Sequence, residues 1–172
     1  QTHDIPATLL EYFGVDRPPD MQGRPLRETL ADNRPVREAC LFGVFGGHVN
    51  CSDGRYVYMR APRNAANEPV NNYTLFPTKM RGYLGSEFLA RAEMAPPFGF
   101  TKGLPVIKIP AKGLPSFHEF GNLLFDTETD PKQEHPISDP EVEKRLIGQL
   151  IRLMKENEAP AEQFTRLGLD GG

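Results

Sequence analysis

FGGHVNCSDGRYVY, residues 45–58, is the stretch on which the fold turns. Gly46-Gly47 and Asp53-Gly54 are both pairs that close two-residue hairpins, because such residues tolerate positive φ. They bracket the run His48–Ser52 and so predict a three-stranded antiparallel meander between Glu38 and Arg60. With both turns tight, Phe45 faces His48 and Ser52 faces Arg55. Alternation then puts Cys40, Phe42, Val44, Val49, Cys51, Tyr56 and Tyr58 on one almost wholly apolar face. Leu41, Gly43, Phe45, His48, Asn50, Ser52, Arg55, Val57 and Met59 form the other, apolar at its ends and polar in the middle. A sheet with one dry face needs a cover, and a helix is the usual one.

The strongest helical signal in the chain supplies that cover. It follows the polar connection TETDPKQEHPISDP, where Ser138 and Glu141 have capping-box spacing and Pro140 stands in the first turn. Val142, Leu146, Ile147, Leu150, Ile151 and Met154 recur as one stripe, which predicts a helix ending near Asn157. Glu141 and Arg145 are spaced for a surface pair on it. PAEQFTRLGL adds a last short helix. At the other end, HDIPATLLEYFGV predicts a short amphipathic helix over 5–13. Its cap is Asp4, its apolar face is Ile5, Leu9, Leu10 and Phe13, and Gly14 stops it. A surface segment with a helical turn at Leu26–Leu30 follows. Residues 61–120 read as a long loop punctuated by proline and glycine, with a short helix from Ser86 through Glu93. VIKIP and GNLLFD are further short strands. There is no internal repeat.

The 172 residues are 38% hydrophobic and carry a net charge of −3, enough for one core and too little positive charge for a nucleic-acid or anionic-membrane binder. No apolar run is long enough to span a bilayer, and no basic-then-apolar leader opens the chain. Gln1 leads straight into a helix, so the chain is expected to be a piece of a longer one, which leaves its compartment open. The 17 prolines and 16 glycines require much irregular structure, concentrated between residues 60 and 120. Cys40 and Cys51 make no disulfide framework, and no CxxC or close Cys/His pair offers a zinc site.

His48 and Asn50 stand two apart on one strand, so they share a face. An imidazole beside a carboxamide can hydrogen-bond an anionic ester oxygen or a sugar hydroxyl. The same pair can equally fill a sheet face or bond a neighbouring loop. Cys51 falls on the apolar face, diagonal to Cys40; a packed thiol there is a poor nucleophile. Two free thiols are expected, with a cross-strand disulfide as the alternative. His3 lies beside Asp4, but a capping role already accounts for the aspartate. His118 and His135 sit in irregular segments and are expected to be solvated. Lys79, Arg81, Arg91 and Lys102 suit an anionic substrate if their loop lines a cleft, and equally an ordinary solvated loop. No Ser-His-Asp arrangement can be assigned. Gly46 and Gly47 lie between strands, so they are not a phosphate-cradling loop.

Three separated segments, in order, resemble one family. THDIPATLLEYFGVDRPPDMQGRPL is similar to the stretch after the catalytic core of type I sulfatases of the alkaline phosphatase superfamily, where an Asp-Ile-x-x-Thr-Leu-Leu helix precedes a GxxL segment. GGHVNCSDGRYVYMRAP resembles the hairpin with a DGRYKY-type signature that follows in those proteins. LLFDTETDPKQEHPI resembles their LYDLxxDPxE strand and turn before the terminal helix. The middle of the chain, roughly 62–115, is similar only to a closer subset of bacterial sulfatase-like proteins.

The resemblance implies an α+β piece in which residues 1–37 end the sulfatase core and residues 38–172 form the C-terminal subdomain. That subdomain is a small antiparallel sheet packed with a C-terminal helix, carrying the long irregular loop 61–120 and preceded by a short helix of an absent α/β core. The parent would hydrolyse sulfate esters through a formylglycine made from Cys or Ser in a C/S-x-P-S/A-R motif. Acidic residues and an Asn or His of the larger N-terminal domain would hold calcium or a similar ion. None of those motifs is present: Cys40 lies in EACLFG and Cys51 in VNCSDG. No catalytic or metal residue carries over, so the chain alone is expected to be inactive and to hold no cofactor. Its implied partner is the N-terminal sulfatase domain, with a sulfated small molecule or carbohydrate as substrate of the whole and neither nucleic acid nor membrane. The loops of such a subdomain shape the substrate entrance, which implies His48 and Asn50 as substrate-binding residues and 79–103 as a specificity loop. Two other readings stand beside it. One is a phosphonate or phosphate ester hydrolase of the same superfamily; the other is a non-catalytic carbohydrate- or protein-binding module.

Overall fold

In the computed structural model, which describes residues 1–79, 81–114 and 116–169 (Lys79 by its backbone only), the first helix begins at the residue expected to cap it. Helix α1 (Asp4–Tyr12) has His3 in the capping position, with no side-chain cap bond. Asp4 lies inside the helix and is fully buried. Its carboxylate takes a two-pronged contact from Arg37, with Nη1 2.5 Å from Oδ2 and Nη2 2.6 Å from Oδ1. The Arg24 backbone N–H adds a third bond at 2.9 Å. Charge-assisted paired bonds of this kind are stronger than a single cap bond, which is why the aspartate turns inward. Thr8 extends the tie by accepting the Leu26 N–H just before α2 (Arg27–Asp32). Ile5, Leu9 and Phe13, the expected apolar face, are each more than half exposed, and only Ala7 joins Asp4 in burial. These residues belong to one compact unit, Gln1–Cys40; the remainder, Leu41–Gly172, forms a second.

The second unit is built on the predicted meander. Strands β1 (Cys40–Gly43), β2 (Val49–Ser52) and β3 (Tyr56–Arg60) lie side by side, and β9 (Leu123–Asp126) joins the far edge beside β3. Both turns sit one residue later or earlier than the glycines suggest. Val44–Gly47 closes through Gly47 N–H to the Val44 carbonyl at 3.0 Å, so Phe45 does not face His48. Asp53–Tyr56 closes the second turn, and Ser52 faces Val57 rather than Arg55. Asp53 causes that shift: its Oδ1 accepts from the N–H groups of Arg55 and Tyr56, making the aspartate the turn's first residue. The slip is two residues along the partner strand, so the faces survive it. Cys51 pairs with Tyr58, and both are buried. Cys40 and Cys51 are not joined in a disulfide.

Helix α5 (Pro140–Glu156) packs on β2 and β3 as the stripe predicts, with Leu146, Leu150 and Met154 buried. It lies on the Cys51–Tyr58 face: the Arg145 guanidinium stands 5.9 Å above the Tyr56 ring. Asp139, not Ser138, is the cap, accepting from Glu141 and Val142 N–H, because Pro140 puts the first free N–H groups within its reach. Arg145 pairs with Asp53 at 2.7 Å rather than with Glu141, and so fastens the helix to the hairpin turn. Helix α6 (Ala161–Leu167) follows.

The segment 61–120 holds more order than its composition predicts. Strands β4 (Val70–Thr74), β7 (Glu93–Ala95) and β8 (Val106–Ala111) form a second antiparallel sheet in the order β4-β8-β7. A small hairpin joins β5 (Thr78–Lys79) to β6 (Gly82–Tyr83). Helix α3 (Ser86–Leu89) is shorter than predicted and is not capped by Ser86, whose place in the helix leaves Gly85 at the cap. A second short helix, α4 (Ser116–Glu119), precedes β9. Among the described residues, no helix is long and apolar enough to cross a membrane.

Candidate functional site

Gly46 and Gly47 let another backbone come close to the first turn. Gly46 has φ +71°, and a Cβ there would lie 3.0 Å from the Gly113 Cα; a Cβ on Gly47 would meet the Phe117 ring at 3.1 Å. The turn is therefore pressed under the 113–117 segment. His48 leaves this turn almost fully buried, at 6% exposure. Its Nε2 donates to the Gly121 carbonyl at 2.8 Å, and its ring meets that of Phe117 edge-on at 5.2 Å. Of the two roles open to His48, it takes up the bond to a neighbouring loop. Asn50 shares the face, as alternation predicts, and is 9% exposed. Its Oδ1 has no hydrogen-bond partner among the described residues. The face expected to be apolar at its ends and polar in the middle is covered by the chain itself, with Val57 and Phe125 buried on it as a strand pair.

Two residues without a recognisable sequence signal complete the underside of the turn. Asn67 is fully buried and donates to the carbonyls of Gly46 (2.7 Å) and Leu114 (2.9 Å). Its Oδ1 accepts from Arg166 Nη1, which also donates to the Gly47 carbonyl. Arg166 is buried, and burial pushes its guanidinium below the usual arginine range. An Asn in a polar loop and an Arg in a short helix read as surface residues. Only the long-range packing makes them a node.

Beyond Gly121 the chain surrounds a pocket of 300 Å³, with Arg60, Arg63, His118 and Asn122 in its wall. His118 is not solvated as expected: it is half-buried and its Nδ1 donates to the Pro62 carbonyl at 2.9 Å. His48 therefore supports this pocket's wall through Gly121 rather than entering it. Among the described residues, the cations of the long segment do not gather. Arg91 lines an open groove of 810 Å³ together with Lys112, Glu68 and Glu87, so the signs mix. Arg81 and Lys102 are exposed, and the Lys79 side chain and Met80 lie outside the described residues.

One trio of possible metal ligands converges among the described residues: Asp130, Glu134 and His135. His135 is exposed as expected, but it has acidic neighbours that the sequence did not suggest. Asp130 Oδ2 accepts the His135 backbone N–H at 2.8 Å, which gives the aspartate a turn-closing role. One half-buried carboxylate, one exposed carboxylate and an imidazole do not fit calcium, which takes six to eight oxygen ligands. Nor does either cysteine fit a formylglycine precursor, since Cys51 is buried in the sheet and neither stands in the required motif. No protein-family model and no curated protein sequence matches this chain.

Proposed function

We propose that the chain is the C-terminal subdomain of a sulfatase-like enzyme, a scaffold whose nucleophile and metal site lie in a preceding domain. One observation carries the reading. The two segments GRYVY and LLFD, which resemble separate signatures of that family, are neighbours in the sheet, with Tyr56 opposite Asp126 and Tyr58 opposite Leu124. Arg55 of the first signature pairs with Asp126 of the second at 2.7 Å. Motifs distant in sequence but joined by a strand ladder and an ion pair behave as parts of one structural unit. The sheet, the turn after β9 and the helix α5 follow in the order the resemblance implies. On this reading His48 serves substrate binding by holding Gly121 in the pocket wall rather than by reaching the substrate, with Asn50 beside it on the same face. Residues 79–103 remain the proposed specificity segment. The parent would carry calcium and a formylglycine in its N-terminal domain and act on a sulfated small molecule or carbohydrate.

The test is to express the gene's longer product and assay aryl sulfate, aryl phosphate and aryl phosphonate esters with calcium present. Preferential sulfate ester turnover, abolished by replacing the cysteine or serine of a C/S-x-P-S/A-R motif, is the expected result. Preference for phosphate or phosphonate would favour the sister hydrolases. A gene with no such preceding motif would contradict the proposal.

A further inference from the structure

We propose that the 300 Å³ pocket beside the Gly121 turn binds a tetrahedral oxyanion, as free sulfate or phosphate or as such a group carried on an ester. Its wall is rich in donors and poor in free acceptors. Arg60 donates from Nε to the Leu167 carbonyl, from Nη2 to the Gly168 carbonyl and from Nη1 to the Tyr58 hydroxyl. All three partners are neutral, and two of its five N–H groups remain unassigned. Arg63 lies alongside. A Cβ on Gly168 would be 3.4 Å from Arg60 Nη2 and 3.5 Å from Arg63 Cδ, so both side chains pass over the same residue. Neither arginine has an ion pair among the described residues, and none of those residues brings a carboxylate to the pocket wall. The carboxylate of Glu143 bears on the Tyr58 hydroxyl instead.

Of the remaining polar groups, Asn122 points the same way. Asn122 uses Oδ1 to accept the Ala61 N–H, which leaves its NH₂ as the free end. His118 is anchored by donating from Nδ1, so the Nε2 of its neutral ring is an acceptor and adds no donor to the wall. The carbonyls of Pro62, Gly121 and Leu167 are already occupied by His118, His48 and Arg60. Two arginines that line one pocket with no ion pair among the described residues leave it electropositive, and an anion there gains from both charges while taking paired N–H bonds. The 810 Å³ groove has no such bias, because it mixes Glu68 and Glu87 with Arg91 and Lys112. The pocket's ligand class does not depend on the sulfatase reading; a phosphate ester hydrolase or a binding module would carry it equally.

The 172-residue chain should be titrated with sodium sulfate, sodium phosphate and a monosulfated monosaccharide, followed by ¹H–¹⁵N NMR at ionic strength held constant with chloride. Saturable shifts are expected at the amides of Arg60, Ala61, Arg63, residues 118–122 and residues 167–168. Arg63→Ala should weaken binding about tenfold, the loss expected of a charge-assisted contact. The variant should fold, because the Arg63 side chain is exposed and its backbone N–H makes the 2.7 Å bond to the Arg166 carbonyl. Asn122→Asp keeps the acceptor for Ala61 and adds a negative charge, so it should abolish saturation; Arg91→Ala should change nothing. Tighter binding of the sugar sulfate than of free sulfate identifies an ester group as the ligand, and equal affinity identifies the free ion. Shifts that rise without saturating, or that persist in both pocket variants, overturn the proposal.

Discussion

His48 shows what a single residue's sequence context can and cannot reveal. Its strand, its face and its company with Asn50 follow from alternation and two turn signals. Its partner, the Gly121 carbonyl, lies far along the chain and could not be read from any local pattern. The same distance hid Asn67 and Arg166, whose worth comes only from the turn they brace. Because His48 is buried and bonded, His48→Ala should destabilise the chain by about 2 kcal/mol, the cost of an orphaned buried carbonyl plus a cavity. His48→Gln keeps a donor at a similar reach and should lose less. Urea unfolding of the two variants checks this; equal stability of wild type and His48→Ala would make the residue a free surface group. Asp4 was misread for a related reason. A carboxylate before a proline looks like a cap, but Arg37, its real partner, comes from the far end of its unit.

At the scale of elements, the parts with strong period were legible and the parts without it were not. The meander and α5 carry alternation of two and a 3.6-residue stripe, and both formed, with the turns displaced by a residue and Asp139 as the cap in place of Ser138. The sheet β4-β8-β7 was missed because VNNYT and EMA show neither alternation nor β-branched richness, and their partner VIKIPA lies across Pro- and Gly-rich chain. Such strands are fixed by pairing rather than by propensity. Helix α5 should prove the main prop of the meander: Leu146→Ala, at a fully buried position, is expected to cost about 3 kcal/mol. The Asp53–Arg145 tie is part exposed and worth less. A double-mutant cycle with alanine at both positions should return a coupling of about 0.5–1 kcal/mol, and Asp53→Ala alone should cost more than Arg145→Ala, since Asp53 also holds the turn. A cycle with no coupling would mean that α5 is held by its apolar stripe alone.

The whole molecule is tied at several points by carboxylates whose partners favour their charged form. The hydrogen bonds from Arg37 hold Asp4 far below the usual carboxylate range, and those from Arg55 lower Asp126. Burial pushes Asp53 up, but the Tyr56 N–H and Arg145 outweigh it, and its net shift is also downward. A depressed folded value means stability that is complete above the unfolded carboxylate pKa, near 4, and is lost as pH falls toward the folded value. Urea midpoints should therefore hold level from pH 7 to about 5 and drop between pH 4 and 2; a midpoint unchanged at pH 3 would mean these pairs do not stabilise the fold. At this scale the α+β architecture and the helix on the sheet were legible in the sequence, whereas the pocket of Arg60, Arg63, His118 and Asn122 was not, because it gathers three separate segments. The central claim is that this chain is scaffold and its chemistry lies elsewhere. The most direct measurement is 4-nitrophenyl sulfate hydrolysis, with calcium, by the chain alone and by the longer product that the proposal requires. Turnover confined to the longer product is the predicted result; turnover by the chain alone, or by neither, would contradict it.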